Sequence, residues 1–415
     1  MKYKIMKYLR GMVTAILITI MCLGSAVSAL AASALLVGTE GTPAQPIITK
    51  KLIMPEGTTT PGATFTFNFA KKSVDETVVA SDSNAMPAIG PVTIDFTAGD
   101  TGNTVNGVKT VAIQSTDALN GVIFPHAGVY EYEVAEEQSV TNYSPGSNET
   151  FTFTTAKYSI IFYVKNGSTG QLYVSEIEQK ILINDADNQD SSVNTKVASM
   201  VFTNTYSKRA GGEDPTVTNN HVLTVSKTVV GAYADRTKYF AFNITTTQPA
   251  GISGATYKAY VLNASDQVVT STDNCANLST DSYGQYIVFT SGSPLTVNLK
   301  HDQKLVFNDL HIGSSYVAVE SAVENYTASA TVVVDGATGI NLSNSAANTS
   351  LSTDTRLIGE GKNSAAFTNT YKEITPTGVM INNFPFIMIL LLAVGAFAGY
   401  IVVKSRNKNR KISGY

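Results

Sequence analysis

The chain has little cysteine, no tryptophan and few charged residues. One of its two cysteines, Cys22, lies in an apolar N-terminal segment, so Cys275 would stand alone in a processed protein and no internal disulfide could form. Charged residues make up 15% of the 415 residues and the formal net charge is −3, which argues against nucleic acid as a partner. The composition and the lack of amphipathic helical patterns predict an all-β protein.

The two ends of the chain predict export and anchoring. A basic start, an apolar stretch and then small residues indicate a signal peptide over 1–31, cleaved after Ala31, with a linker at 32–45. Near the other end, the apolar run 384–403 is long enough to cross a bilayer as a helix. The basic tail 404–415 would hold that end in the cytoplasm. The residues between are therefore expected outside the cell, at its surface.

Two β-rich blocks lie between these ends. Runs such as ATFTFNFA and KYSIIFYVK fill residues 46–207, and runs such as KYFAFNI and QYIVFT fill residues 221–372. Their period-2 alternation, interrupted by turn residues, predicts strands. The stretch 208–220, which contains Gly-Gly and Asp-Pro, is predicted to be a linker. Because the string FTNTY closes both blocks, we expect two tandem β-sandwich domains that arose by duplication.

Three polar residue types recur at matching places in the two blocks. Each block has a lysine on its first strand, a glutamate midway and an asparagine in FTNTY, always on the same face as apolar residues. They are Lys50, Glu136 and Asn204 in the first block, and Lys227, Glu320 and Asn369 in the second. Lys51 and Glu137 are neighbouring alternatives, but Lys50 and Glu136 share the parity of the apolar face.

Together these side chains can form an amide bond. A buried lysine tends to lose its proton, and its amine can then attack the asparagine carbonyl and expel ammonia. A glutamate kept protonated by burial would polarise that carbonyl and relay protons. For any one site the alternatives are an asparagine with ordinary hydrogen-bond partners and a lysine whose amine reaches solvent at a strand end. The recurrence of all three residues favours the crosslink.

The same strings carry a family resemblance. ITKKL, AGVYEYEVAEE and FTNTY, followed by VSKTV, GSSYVAVE and FTNTY, resemble the isopeptide-linkage domains of Gram-positive pilins, especially two-domain pilus backbone proteins of the streptococcal T-antigen type. The resemblance implies Ig-like (CnaB-type) sandwiches with Lys50–Asn204 and Lys227–Asn369 bonds. Glu136 and Glu320 would assist bond formation. The sequence shows no nucleophile elbow, phosphate-binding loop or paired-acid site, so we expect a structural protein without a cofactor rather than an enzyme acting on external substrates.

The segment 373–383 before the apolar run contains ITPTG. The order of motif, apolar run and basic tail predicts a sortase signal, with cleavage between Thr377 and Gly378. The motif departs from L-P-x-T-G because Pro376 and Thr377 are adjacent. It is similar to the x-x-P-T-G signals of pilins that use dedicated class B or C sortases. The alternative is a turn on the stalk of a single-pass membrane protein.

The resemblance also suggests partners. Polymerisation needs an acceptor lysine from a neighbouring copy, for which Lys196 is the nearest equivalent, with Lys208 and Lys238 as alternatives. We predict a major pilus subunit attached to the cell wall, which would contact sortase, copies of itself, minor pilins, peptidoglycan and host ligands. The alternative is a wall-anchored adhesin or minor pilin. The acidic stretch 184–190 and the four scattered histidines lack metal-ligand spacing, so no metal site is predicted.

Overall fold

The structure, a computed structural model, describes residues 35–116, 118–184, 193–372 and 377–410. The predicted signal peptide with Cys22, most of the acidic stretch 184–190, and Pro376 lie outside the described residues. Within them the chain forms two consecutive β-sandwich domains followed by one long helix. This architecture confirms the predicted all-β fold class with tandem sandwiches.

The first domain packs two sheets against each other. Its strands are β1 (Leu35–Val37), β2 (Ile48–Pro55), β3 (Thr64–Val74), β4 (Thr77–Val78), β5 (Val92–Asp95), β6 (Asn103–Val105), β7 (Val108–Gln114), β8 (Gly128–Glu136), β9 (Glu149–Thr152), β10 (Lys157–Asn166), β11 (Leu172–Ile183) and β12 (Met200–Gly211). One sheet has the order β1-β11-β10-β8-β3-β4, with β5 also on β3. The other has β12-β2-β7-β6, with β9 on the free side of β12.

The second domain repeats the sandwich with different sheet sizes. After a 3-10 turn at Thr218–Asn220 come β13 (Leu223–Val230), β14 (Phe240–Thr247), β15 (Thr256–Leu262), β16 (Leu278–Asp281), β17 (Gly284–Thr290), β18 (Leu295–Leu299), β19 (Gln303–Phe307), β20 (Asp309–His311), β21 (Ser315–Glu320), β22 (Tyr326–Val333), β23 (Ile340–Ser343), β24 (Leu351–Ser352), β25 (Arg356–Leu357) and β26 (Asn363–Tyr371). One sheet has eight strands, in the order β16-β17-β15-β19-β13-β26-β22-β23. The facing sheet has the order β18-β14-β21-β24, with β25 on β21.

Alternation along the first core strand of each domain, β2 and β13, sets which side chains enter the core. Every second residue of β2 and of β13 is buried, and the residues between are partly exposed, except for the buried Pro55 that ends β2. Successive side chains of a strand point to opposite faces, so one face of each strand lines the space between the sheets. The inward faces of both sheets build one apolar core per domain.

The two predicted linkers are more ordered than their sequences suggested. In the segment 32–45, β1 pairs with the outer edge of β11, and Ala44 is buried in the first core. The sequence did not indicate this strand because a three-residue apolar run is too short to show a period of two. In the segment 208–220, β12 continues to Gly211 and pairs with β20 of the second domain. The Arg209–Asp309 ion pair at 2.5 Å reinforces that junction.

The C-terminal helix α1 (Thr377–Arg410) is longer than the predicted span 384–403. Its segment Pro385–Arg406 has a mean hydropathy of 2.7 and is long and apolar enough to cross a membrane. All described side chains of this segment are exposed. The helix is thus consistent with the predicted membrane-spanning sorting segment.

Two buried clusters of lysine, glutamate and asparagine

The first cluster forms where two parallel strands face the opposite sheet. Lys50 lies on β2 and Asn204 on β12, and these strands pair in parallel with Phe202 opposite Lys50. Asn204 is therefore two residues further along its strand, on the same face as Phe202, which places it diagonally from Lys50. Glu136, the last residue of β8, reaches this point from the facing sheet. All three sequence-predicted residues of the first domain are thus brought together.

Glu136 bridges the other two side chains. The Lys50 Nζ lies 2.7 Å from its Oε2, and the Asn204 Nδ2 donates a hydrogen bond of 2.6 Å to its Oε1. The backbone N–H of Thr154 donates to the Asn204 Oδ1 at 2.8 Å. Lys50 and Asn204 are 0% exposed. Because an N–H needs an acceptor, the Thr154 amide requires the carboxamide oxygen on its side and leaves the nitrogen facing Glu136.

The second domain repeats this arrangement in the same strand register. Lys227 on β13 lies opposite Phe367 of β26, and Asn369 is again two residues further along. Glu320 ends β21 in the facing sheet, and its Oε1 lies 2.6 Å from the Lys227 Nζ. All three residues are at most 2% exposed. Unlike their counterparts in the first domain, Asn369 Oδ1 and Glu320 Oε2 have no hydrogen-bond partner among the described residues.

Burial shifts both ionisable groups of the second cluster towards their neutral forms. Desolvation lowers the pKa of Lys227 to about 8, although the Glu320 carboxylate opposes this shift. Desolvation also raises the pKa of Glu320, against the opposing effects of Lys227 and of a hydrogen bond from Asn369. A neutral amine beside a protonated carboxyl group is the pair of forms that nucleophilic attack on an amide requires.

Aromatic rings enclose both clusters. The Lys50 Nζ lies 4.7 Å from the centre of the Phe65 ring, and the Lys227 Nζ lies 4.2 Å from that of Phe240. A further ring pair packs beside each site at about 5 Å: Phe67–Phe202 in the first domain and Phe242–Phe367 in the second. These rings exclude water, which strengthens the electrostatic interactions within each cluster.

The neighbouring alternatives point away from the sites. Lys51 and Glu137 are partly exposed, and Glu137 accepts a hydrogen bond from Asn68 instead.

Sequence patterns did not reveal the contact of the Thr154 N–H with Asn204, because a backbone group just beyond a short strand carries no residue-type signal. Among the described residues, no group of three or more histidine, cysteine or acidic side chains is placed to hold a metal ion.

The residues predicted for intersubunit chemistry lie elsewhere. The Lys196 side chain is 55% exposed and its Nζ pairs with Glu178 at 2.6 Å. Lys208 is 28% exposed and lies between Glu149 and Glu360. Lys238 is exposed. Thr377 and Gly378 are the first two residues of α1.

Comparison with protein families supports the interpretation of the first domain. Residues 47–207 match the family model described as a Spy0128-like isopeptide containing domain (FctA). Residues 221–371 match a domain of unknown function (DUF7601). The first match confirms the predicted resemblance to pilins with isopeptide-linkage domains. The first sandwich is thus similar in sequence to Spy0128-like isopeptide containing domains.

Several solved structures are similar to the chain. The chain is similar to the major pilin of Streptococcus pyogenes, at 20% identity over 80% of this chain and 100% of that one, with a TM-score of 0.32. It is also similar to the T-13 major pilin of the same species, at 16% identity over 82% and 100%, with a TM-score of 0.31. The pilus-presented adhesin Spy0125 (Cpa) matches at 20% identity over 56% and 38%, with a TM-score of 0.24. No curated protein matches the chain.

Proposed function

We propose that this chain is the backbone subunit of a sortase-assembled pilus, and that each domain forms its own internal lysine–asparagine amide crosslink. The bonds would join Lys50 to Asn204 and Lys227 to Asn369. The observation that carries the proposal is that the same three side chains are buried in the same strand register in both domains. One such cluster could be a structural ion pair, but two in matching positions indicate a shared chemistry.

The reaction is an exchange of one amide for another. The neutral lysine Nζ attacks the asparagine Cγ, the Cγ–Nδ2 bond breaks, and ammonia leaves. The glutamate takes a proton from Nζ and supplies one to the departing nitrogen. Folding holds amine and carboxamide together, and such positioning can lower the barrier by roughly 7–11 kcal/mol. Glu136 and Glu320 would act once, within their own chain, so the protein would not be an enzyme for external substrates.

The placement of the bonds suits a protein under tension. Each would connect the first core strand of a domain to its last, β2 to β12 and β13 to β26. A pulling force would then pass through the crosslink and bypass the strands between. An amide is also not reducible, which suits an exported protein whose sequence offers no cysteine pair after signal-peptide removal.

The C-terminal region supports sortase processing. The ITPTG motif, the apolar helix and the basic tail follow one another in the order that such a signal requires. Cleavage between Thr377 and Gly378 would leave Thr377 as an acyl group on the sortase cysteine. Because these residues begin α1, the first turn of the helix would have to open. The N–H groups of that turn have no partners within the helix, so opening would break only the hydrogen bonds that its carbonyl groups accept from the next turn.

Lys196 is the proposed acceptor for the acyl group. Its exposed side chain can reach another molecule, whereas Lys208 is held between two glutamates. The hydrogen bond to Glu178 raises the pKa of Lys196, so docking would have to separate this pair before the amine can attack. The polymer would be attached to peptidoglycan at the cell surface, with minor pilins and host ligands as further partners.

Intact-mass measurement tests the crosslinks. We expect the chain to be lighter than its sequence by two ammonia molecules. Glu136→Ala and Glu320→Ala should each restore one, because each removes the proton relay of one domain. Proteolytic peptides should then show the linear forms of the affected lysine and asparagine segments only in that domain. A wild-type chain with its full sequence mass would contradict the proposal.

Assembly is tested in cells that contain the chain and its sortase. Wild-type surface extracts should show a ladder of high-mass species that survives denaturing detergent. Lys196→Arg should collapse the ladder to single subunits, since arginine is too basic to act as a nucleophile. The matched control Lys208→Arg should preserve the ladder. A single band from the wild type would favour the adhesin or minor pilin instead.

A further inference from the structure

We propose that the backbone N–H of Thr154 is a catalytic oxyanion donor for the Lys50–Asn204 bond, and that the second domain forms its bond without an equivalent donor. This inference rests on the crosslinking proposed above and specifies how the two reactions differ. Its basis is the 2.8 Å hydrogen bond from the Thr154 N–H to the Asn204 Oδ1, the atom on which negative charge develops during attack.

Thr154 is held through its carbonyl and its side chain before any reaction. Gln138 Nε2 donates to the Thr154 carbonyl oxygen at 2.8 Å, and the Ala156 N–H donates to the Thr154 Oγ1 at 3.1 Å. Thr154 is 4% exposed. A donor that is fixed and dry needs no reorganisation when the oxyanion forms, which is the condition under which such donors accelerate acyl transfer most.

The donor exists because a strand ends early. β9, the outer neighbour of β12, stops at Thr152, and the chain leaves the sheet before β10 begins at Lys157. The Thr154 N–H is thus outside the ladder and can turn towards the Asn204 side chain. In the second domain the corresponding neighbour, β22, pairs with β26 along its whole length, with Ala328 opposite Asn369. Its backbone groups serve that pairing, and Asn369 Oδ1 has no hydrogen-bond partner among the described residues.

The donor changes what the glutamate has to do. In the first domain, Nζ attacks Cγ and the carbonyl π electrons move to Oδ1, where the Thr154 N–H stabilises them. The Nδ2 lone pair, no longer conjugated with the carbonyl, can then take a proton. Glu136, which starts protonated on Oε1, accepts the Nζ proton at Oε2 and passes its Oε1 proton to Nδ2. The carbonyl re-forms as the Cγ–Nδ2 bond breaks, ammonia leaves, and Glu136 is again neutral, with its proton on Oε2. Its two oxygens already face these two nitrogens.

In the second domain Glu320 has to perform both tasks. Its Oε2 and the Asn369 Oδ1 are both buried and lack partners among the described residues. A proton on Oε2 can therefore polarise the carbonyl before it is relayed to the leaving nitrogen. Loss of one oxyanion donor costs roughly 100-fold or more in rate in other acyl-transfer sites. We accordingly expect the first crosslink to form well before the second.

The test follows both crosslinks during synthesis of the full chain in a cell-free system with detergent. Samples are quenched in denaturant at intervals and digested, and the linked and linear peptides are quantified by mass spectrometry. Thr154→Pro removes the N–H and should slow the Lys50–Asn204 bond by roughly 100-fold while leaving Lys227–Asn369 unchanged. The matched control Thr154→Ser keeps the N–H and the hydroxyl and should retain the wild-type rate.

Folding is checked separately from chemistry. In a Lys50→Met background, which cannot form the first bond, Thr154→Pro should leave the thermal unfolding of the first domain unchanged. If it does not, Gln138→Ala decides, because it keeps the Thr154 N–H but removes the hydrogen bond that holds the Thr154 carbonyl. It should slow the first bond less than loss of the donor does, about tenfold. A wild-type rate in Thr154→Pro, or in Gln138→Ala when that variant is needed, would overturn the inference. Absence of both bonds from the wild type would overturn the proposed function instead.

Discussion

The two clusters share the same three polar side chains but not the surroundings of the asparagine oxygen. In both domains the lysine and asparagine occupy diagonal positions on parallel strands, with the glutamate ending a strand of the facing sheet. The strand on the outer side of the asparagine differs: β9 is short and interrupted, whereas β22 is continuous. The shared strand arrangement thus positions the three side chains. In the proposed reaction, the strand beside the asparagine would determine how its carbonyl is polarised.

The sheets around the clusters also differ in size. Lysine and asparagine lie in the smaller sheet of the first domain but in the larger, eight-stranded sheet of the second. Even so, corresponding aromatic residues enclose both lysines, Phe65 in one and Phe240 in the other. The arrangement of the cluster therefore depends on four strands in each domain, those that carry the lysine, the asparagine, the glutamate and the enclosing phenylalanine. Strands added at the sheet edges do not disturb it.

The largest expected effect tests whether the two bonds contribute equally once formed. Asn204→Ala and Asn369→Ala should each destabilise their own domain by about 5 kcal/mol, because each bond closes a loop of about 150 residues. For domains of this size that corresponds to a fall in unfolding temperature of roughly 10–20 °C. Calorimetry should show two transitions, with only the one belonging to the altered domain shifted. A much smaller shift in unfolding temperature in one domain would show that the two bonds do not stabilise their domains equally.

A smaller effect concerns the buried lysine of the second domain. In Asn369→Ala the amine stays free, with its pKa lowered from 10.5 to about 8 by burial. Between these values the unfolded chain binds more protons than the folded one, so the free energy of unfolding should rise with pH. Urea unfolding of the second domain between pH 8 and 10 measures this rise.

The matched control for that experiment is Lys227→Met combined with Asn369→Ala. It lacks the titrating amine, so its stability should rise less over the same window. Glu320, whose pKa is raised by burial, would act in the opposite direction as the pH increases, and it is present in both variants. Parallel pH profiles for the two variants would show that the second domain does not favour a neutral lysine.

Much of the fold and of the candidate site could be predicted from local patterns. Strand parity places Lys50 and Glu136 inward and Lys51 and Glu137 outward, and the structure has the same orientation. The three-residue strand β1 was missed because it is too short for a periodic signal. The extension of β12 into the predicted linker was missed because its partner β20 lies about 100 residues away in sequence. The Thr154 contact depends on where β9 ends, which tertiary packing determines.

Strand β12 belongs to both domains, and this makes the region between the proposed bonds a joint. After Asn204 it runs on to Gly211, where it pairs with β20, while Lys208 contacts Glu360. If both crosslinks form, only residues 205–226, between Asn204 and Lys227, can extend when the two ends of the chain are pulled apart. Their hydrogen bonds and ion pairs can open and close again without breaking a covalent bond. The protein would then consist of two domains that resist extension, connected by a short segment that can extend reversibly.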